Sequence, residues 1–176
     1  MENLITYKGI IHFDPVNVTK KHKNQADWKR MALVLIDGEL CEYYSWFIKK
    51  RYSIELNRPL RGAHISFISD SINDMLKGLK CTEEEAEIVW NSVKNKYDGK
   101  EIDIVLNVDV RSSGDHWWLV LENEFREELH NIRIELGLTP RPFYGLHCSI
   151  GYANNKNVEQ SKYIIECIRK YGVDFN

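Results

Sequence analysis

Alternating apolar and polar residues, and short apolar runs, occur at several places along the chain and are typical of β-strands. The alternation is strictest at 102–110, and apolar runs at 5–13, 31–36 and 117–122 have the length of strands. Because only a turn at 109–115 separates two of these segments, we expect 102–110 and 117–122 to form a hairpin.

Helical spacing and capping residues predict helices between the strands. Thr82 and Glu85 match a capping box, and Asn123 is placed to cap a later helix that stops at Gly137. With apolar positions three and four residues apart, these signals predict helices at 39–51, 82–97, 123–136 and 158–171. Strands mixed with helices favour the α+β class.

One stretch of ten residues occurs twice, at 58–67 and at 141–150, with Arg, Pro, Gly, His and Ser at matching positions. Both copies fall on predicted strands, at 62–68 and 145–152. A strand places residues i, i+2 and i+4 on one face, so each copy directs a glycine, an imidazole and a hydroxyl to the same side. We therefore expect His64, Ser66, His147 and Ser149 to share one cleft.

This set of side chains suits the cleavage of a phosphate ester. Histidine can act as base or as acid near neutral pH, so two imidazoles on opposite sides of one phosphorus can move both protons. The two serine hydroxyls can donate hydrogen bonds to the non-bridging oxygens, and no metal is needed. The glycines are expected to allow close approach of the strand or the ligand.

The paired His-x-Ser motifs resemble the His-x-[Ser/Thr] pairs of the 2H phosphoesterase superfamily. The second copy, at 145–151, is similar to that family's Leu-His-x-Thr-Ile-Gly form, and the resemblance extends over 28–152. Within the superfamily, 28–47, 132–138 and the second motif are most similar to phage anti-CBASS phosphodiesterases. Those proteins degrade the cyclic di- and trinucleotide signals of bacterial defence systems.

The resemblance implies one 2H phosphoesterase-like domain over 1–176. Its fold would have two lobes, with sheets related by a pseudo-twofold axis flanking a central cleft. The implied activity is metal-independent hydrolysis of the 3′–5′ bonds of cyclic di- or trinucleotides, which would counter CBASS immunity. A ribose 2′-hydroxyl would attack, one of His64 and His147 would activate it, and the other would protonate the departing 5′ oxygen.

Aromatic and basic residues are candidates for holding such a substrate. Trp117 and Trp118 open a strand and point to opposite faces, so at most one of them can line the cleft and stack on a base. Arg58 and Arg141 precede the two motifs at equal distances and can reach phosphate. Other candidate aromatic residues are Tyr7, Trp28, Tyr44 and Tyr152.

Composition narrows the class of protein. A net charge of −2 gives no reason to expect long nucleic acid as a ligand, and no apolar run is long enough to span a membrane. The first residues lack the pattern of a signal peptide, and the four scattered cysteines indicate a reducing compartment. We expect a cytoplasmic location, in the bacterial host if the gene is phage-encoded, and Cys148 should face the core.

Other functions stay open at this point. A 2H phosphoesterase could act on RNA ends with 2′,3′-cyclic phosphates or on by-products of tRNA splicing, and a binding protein could sequester a nucleotide without cutting it. A metalloenzyme is disfavoured because the motifs lack ligands at suitable spacing, and Asp70 and Asp115 lie in turn-like contexts. We expect no metal and no cofactor. The nucleobase, the ring size and the oligomeric state stay open.

Overall fold

The computed structural model describes residues 3–15, 30–59, 61–142 and 145–153. Its strands are β1 (Leu4–Phe13), β2 (Ala32–Ile36), β3 (Leu56–Asn57), β4 (His64–Ile68), β5 (Glu101–Asn107), β6 (Arg111–Ser113), β7 (His116–Val120) and β8 (His147–Ala153). Its helices are α1 (Glu39–Tyr52), α2 (Ile72–Leu79), α3 (Glu83–Tyr97) and α4 (Asn123–Glu135). The predicted α+β class is therefore confirmed.

The eight strands form one antiparallel sheet, in the order β5-β1-β2-β4-β8-β7-β6, with β3 also paired to β8. The two strands that carry the repeated motif, β4 and β8, are direct neighbours in the middle of this order. His64 lies opposite Ser149, and Ile65 lies opposite Cys148. An antiparallel pair has a local two-fold axis, so the two motif copies are brought together head to tail within one sheet.

Each motif strand also carries a β-bulge at the same point of the repeat. Between β2 and β4 the register shifts after Ser66, so Phe67 is the extra residue. Between β7 and β8 it shifts after Ser149, so Ile150 is the extra residue. Phe67 and Ile150 hold the same place in the repeat, so the two motif strands match in the position of the bulge as well as in sequence.

The apolar positions of the motif strands face the core, as strand parity predicts. Ile65, Phe67, Cys148 and Ile150 are all fully buried. Cys148 is a core thiol whose pKa is raised by burial, so it does not act as a nucleophile. Strand β5 buries alternate residues in the same cluster, which explains its regular sequence pattern.

Helix starts follow the capping rule, with one addition and one correction. The capping box of Thr82 and Glu85 opens α3 as predicted. Ser71 and Asp74 form a second capping box, which opens the unpredicted helix α2. Asn123 was expected to cap α4, but it is the first helical residue, and Glu122 is the cap without a side-chain hydrogen bond.

The predicted hairpin is wrong. Strand β5 pairs with β1 over seven residues, and it meets β7 only through an isolated bridge between Leu106 and Leu121. Strand β7 instead pairs with β8 and forms a hairpin with β6, which lies in the segment expected to be a turn. The predicted helix at 158–171 and the candidate Trp28 lie outside the described residues.

A buried arginine joins the two motif segments. Arg133 of α4 is 0% exposed, and its guanidinium donates to both carboxylate oxygens of Asp70 at 2.6 and 2.8 Å. It also donates to the carbonyl of Phe67 at 2.6 Å and to that of Thr139 at 2.8 Å. The end of β4 and the segment that leads to the second motif are therefore held by one side chain.

None of the described helices has the length and apolar character that crossing a lipid bilayer requires.

Candidate active site

The central strand pair brings the four motif residues together. His64 faces Ser149 across β4 and β8, and the same register continued by one residue sets Ser66 opposite His147. Burial lowers the pKa of His64 and the charge of His147 adds to this effect, so the two rings lie within electrostatic reach. Each histidine therefore lies across from the serine of the other motif.

A matching turn precedes each histidine. The Gly62 N–H donates to the Pro59 carbonyl at 2.9 Å, and the Gly145 N–H donates to the Pro142 carbonyl at 3.0 Å. The two glycines have φ angles of 68° and 70°, in the left-handed region that favours glycine. The matching Pro and Gly residues of the repeat thus make the same backbone hydrogen bond in both copies, with the same backbone conformation at the glycine.

The turn directs a carbonyl at each imidazole. The Nδ1 atom of His64 lies 2.8 Å from the Gly62 oxygen, and that of His147 lies 3.3 Å from the Gly145 oxygen. A carbonyl only accepts, so Nδ1 of each ring carries the hydrogen. Both Nε2 atoms are then left to take or give the proton of a reaction.

The role expected for the two glycines needs correction. A Cβ atom added at Gly62 or Gly145 would meet nothing within 4 Å, so close approach of a neighbour does not require glycine there. The requirement is the positive φ angle, which turns the carbonyl toward the ring two residues on. Each motif strand consequently begins at its histidine, two residues later than predicted.

Replacing Gly62 with alanine is expected to lower the pKa of His64 and to cost about 1–2 kcal/mol of stability. The pKa should fall because the Gly62 carbonyl favours the protonated ring, and a strained turn weakens that hydrogen bond. An NMR titration of the histidine ring and a urea unfolding curve measure the two effects.

Gly99→Ala is the matched control, because Gly99 has a φ angle of 77° and equally open surroundings. It should lose similar stability and leave the pKa of His64 unchanged. An unchanged pKa in Gly62→Ala as well would show that the turn does not set the state of the ring.

A third histidine, which the sequence analysis did not select, lies at the same place. His116 Nε2 lies 3.0 Å from the Ser149 hydroxyl, and its ring is centred 5.2 Å from that of His147. Burial and the neighbouring His147 lower the pKa of His116 to about 4, so the ring is neutral at physiological pH. Strand parity could have identified it, because His116 lies two residues before Trp118 and therefore faces the same side of the sheet.

The bulge at Ile150 gathers aromatic rings on this side of the sheet. Without it, Tyr152 would point away from Ser149, but the shift pairs Tyr152 with His116. Their rings stack with centroids 4.9 Å apart and planes 14° apart. Trp118 completes the group, 5.1 Å from His116.

The two tryptophans point to opposite faces. Trp118 lines the cavity beside the site, and its ring is 5.9 Å from that of His147. Trp117 is 2% exposed and packs on Tyr52 in the core, so it does not line the cavity. Tyr44 is likewise buried, and its hydroxyl donates to the Val108 carbonyl.

The cavity measures about 840 Å³ and is bordered by His147, His116, His130 and Arg141. No aspartate or glutamate is among the described residues that line it, so its charge suits an anion. Arg58, the counterpart of Arg141, instead donates to the Gly38 carbonyl at 3.0 Å and does not line the cavity. His64 and Ser149 lie outside the lining, at 9% and 6% exposure, and Ser66 is half-buried.

Within the described part of the chain, no three histidine, cysteine, aspartate or glutamate residues are grouped to hold a metal ion. Asp70 is engaged by Arg133 and is not directed at the cavity.

Comparison of the chain with protein-family models, curated proteins and solved structures found no match. Two imidazoles with free Nε2 atoms, two hydroxyls and an anion-suited cavity can transfer protons at a bound phosphate ester.

Proposed function

We propose that this protein is a metal-independent phosphodiesterase in which His64 and His147 are the acid and the base. The observation that carries the proposal is the matched pair of glycine turns, each of which fixes Nδ1–H and leaves Nε2 reactive. Two identical devices on adjacent strands, in two copies of one sequence motif, favour a shared task. The two-lobed 2H architecture and a single domain over 1–176 are part of the same proposal.

The proposed reaction needs only groups of this site. Nε2 of the neutral ring accepts the proton of a ribose 2′-hydroxyl, whose oxygen attacks the adjacent phosphorus. The bond from phosphorus to the 5′ oxygen breaks, and the protonated ring donates its Nε2 proton to that oxygen. Ser66 and Ser149 donate hydrogen bonds to the non-bridging oxygens as their charge increases. Water then opens the resulting 2′,3′-cyclic phosphate, with the two rings in exchanged roles.

A cyclic di- or trinucleotide is the substrate that the cavity favours. Its volume of about 840 Å³ suits a compact ligand, and its lining offers Arg141 to a second phosphate. Trp118 and Tyr152 present aromatic faces on which bases can stack, for about 1–3 kcal/mol each. On this proposal the protein removes a CBASS signal in the bacterial cytoplasm, without a cofactor.

A substrate panel tests the proposal. The protein is incubated in chelator with cyclic dinucleotides, cyclic trinucleotides and 2′,3′-cyclic mononucleotides, and the products are separated by chromatography. His147→Ala, purified in parallel, controls for contaminating nucleases. Cleavage of the cyclic oligonucleotides by the wild type alone supports the proposal. Cleavage of the mononucleotides alone would assign another 2H substrate, and intact bound ligand after denaturation would indicate sequestration.

The pH profile of kcat/KM is expected to peak below about 6.5, the ordinary pKa of histidine. Burial lowers the pKa of both His64 and His147, and the charges of Arg61 and His147 lower that of His64 further. Because one ring must be protonated, a lower pKa moves the active form to lower pH. Above the higher pKa, kcat/KM should fall about tenfold per pH unit.

Initial rates measured from about pH 4 to 9 in chelator give the pH profiles of kcat/KM and of kcat. The profile of kcat should peak at higher pH than that of kcat/KM, because a bound phosphate favours the protonated rings. A kcat/KM maximum above about pH 7 would contradict the effect of burial on these histidines.

A further inference from the structure

The two serines of the site differ in their surroundings. The Ser149 hydroxyl lies 3.0 Å from His116 Nε2. Leu33 lies opposite Ser66, just as Trp118 lies opposite Ser149. Met31 and His116 each come two residues before these partners, so Met31 corresponds to His116 beside the first motif. A thioether has no hydrogen to donate. An imidazole therefore stands at this position beside one serine only.

The direction of this hydrogen bond decides what Ser149 can do. A neutral imidazole has one donor and one acceptor nitrogen. If His116 Nε2 accepts the hydroxyl hydrogen, Ser149 has none left for a phosphate. If Nε2–H donates to the Ser149 oxygen, the hydroxyl hydrogen is free to point at a bound anion.

The surroundings of His116 keep its ring in place. Its stack on Tyr152 and its contact with Trp118 leave little freedom to turn. The bulge at Ile150 brings Tyr152 to the same side of the sheet, where its ring stacks on His116, and bulges next to active sites commonly redirect a side chain in this way.

Resting on the proposed function, we infer that His116 is a positioning residue that acts through Ser149. Its Nε2–H donates to the Ser149 oxygen and directs the hydroxyl hydrogen at a non-bridging oxygen of the phosphate held by His64 and His147. Ser149 is then a preorganised donor, which contributes most when negative charge increases in the transition state.

Two substitutions separate the hydrogen bond from the ring stack. His116→Phe keeps a ring on Tyr152 and removes the donor, so kcat should fall about ten- to a hundred-fold with KM nearly unchanged. His116→Gln keeps an amide N–H at a similar reach and should recover most of that loss. Equal loss in both variants would assign His116 a packing role and overturn the inference.

A double-mutant cycle tests the route through Ser149. In a Ser149→Ala background, His116→Phe should cause no further loss of kcat, because the group it positions is already absent. Ser66→Ala is the matched control, and in that background His116→Phe should keep its full effect. Independent effects of His116→Phe and Ser149→Ala would contradict the inference.

The tautomer can be read without any substrate. Nitrogen-15 NMR of the unliganded protein should show the hydrogen on Nε2 of His116. A hydrogen on Nδ1 alone, or covalent labelling of Ser149 by a fluorophosphonate probe, would overturn the inference in favour of a serine–histidine nucleophile pair. If Nε2 carries the hydrogen but the wild type cleaves nothing in the panel, the proposed function fails and the assigned hydrogen bond stands.

Discussion

Replacing His147 with alanine is expected to lower kcat on cyclic dinucleotides by about 10²- to 10⁴-fold, and His64→Ala should do the same. Each variant removes one of the two groups that move a proton in the same step. Binding should largely persist, because the cavity surfaces of Trp118, Tyr152 and Arg141 stay in place. Stopped-time chromatography gives the rate, and calorimetric titration in chelator gives the affinity.

The double variant sharpens this test. Acid and base that act as a unit are not additive, so the variant lacking both His64 and His147 should be little slower than either single variant. His12→Ala is the matched control, since His12 lies on β1 with 40% of its side chain exposed and 3.5 Å from Asp98. Full cleavage by either motif variant would refute the proposed mechanism.

The second large effect concerns stability. Arg133→Met is expected to lower the free energy of unfolding by about 3–5 kcal/mol, because it leaves the Asp70 carboxylate and two carbonyls without their buried donor. Urea unfolding measures the change. Activity should fall as well at temperatures where the variant still folds, because Thr139, which Arg133 holds, donates through its hydroxyl to the Arg141 carbonyl.

Two comparisons separate this effect from the simple loss of a charge. Lys49→Met removes the ammonium of an exposed pair with Glu55, at 2.7 Å, and should cost far less. Adding Asp70→Asn to Arg133→Met should recover part of the loss, because no uncompensated carboxylate then remains. A double variant as unstable as the sum of the two singles would show that the charge pair is not coupled.

Elements of the fold were predicted correctly from the sequence where a local rule determines the structure. Alternation located β5, and the box of Thr82 and Glu85 located the start of α3. Strand parity predicted that Trp117 and Trp118 point to opposite faces but not which of them lines the cavity, and the structure puts Trp118 beside the cavity and Trp117 in the core. The partners of strands could not be found in this way, because alternation shows which face is buried and not which strand lies alongside. The predicted hairpin with β5 was wrong for that reason.

The parts of the candidate site that escaped prediction depend on register and on backbone torsion. Tyr152 stacks on His116 only because a bulge shifts β8 by one residue, and no residue type marks that bulge. The glycines were expected to allow close approach, whereas their positive φ angles orient two carbonyls. Helix α2, in contrast, could have been predicted from the sequence, because Ser71 and Asp74 form a recognisable capping box at its start.

The head-to-tail pairing of β4 and β8 bears on the direction in which a bound sugar–phosphate chain can run. If the proposed function holds, the pairing alone presents His147 to a phosphodiester turned by half a revolution about the local axis where His64 had been. The register of the four motif residues therefore does not set which way a sugar–phosphate linkage runs, although only His147 of the two histidines lines the cavity. The direction has to be set by groups that differ between the surroundings of the two motifs. One such difference is that His116 stands beside the second motif where Met31 stands beside the first.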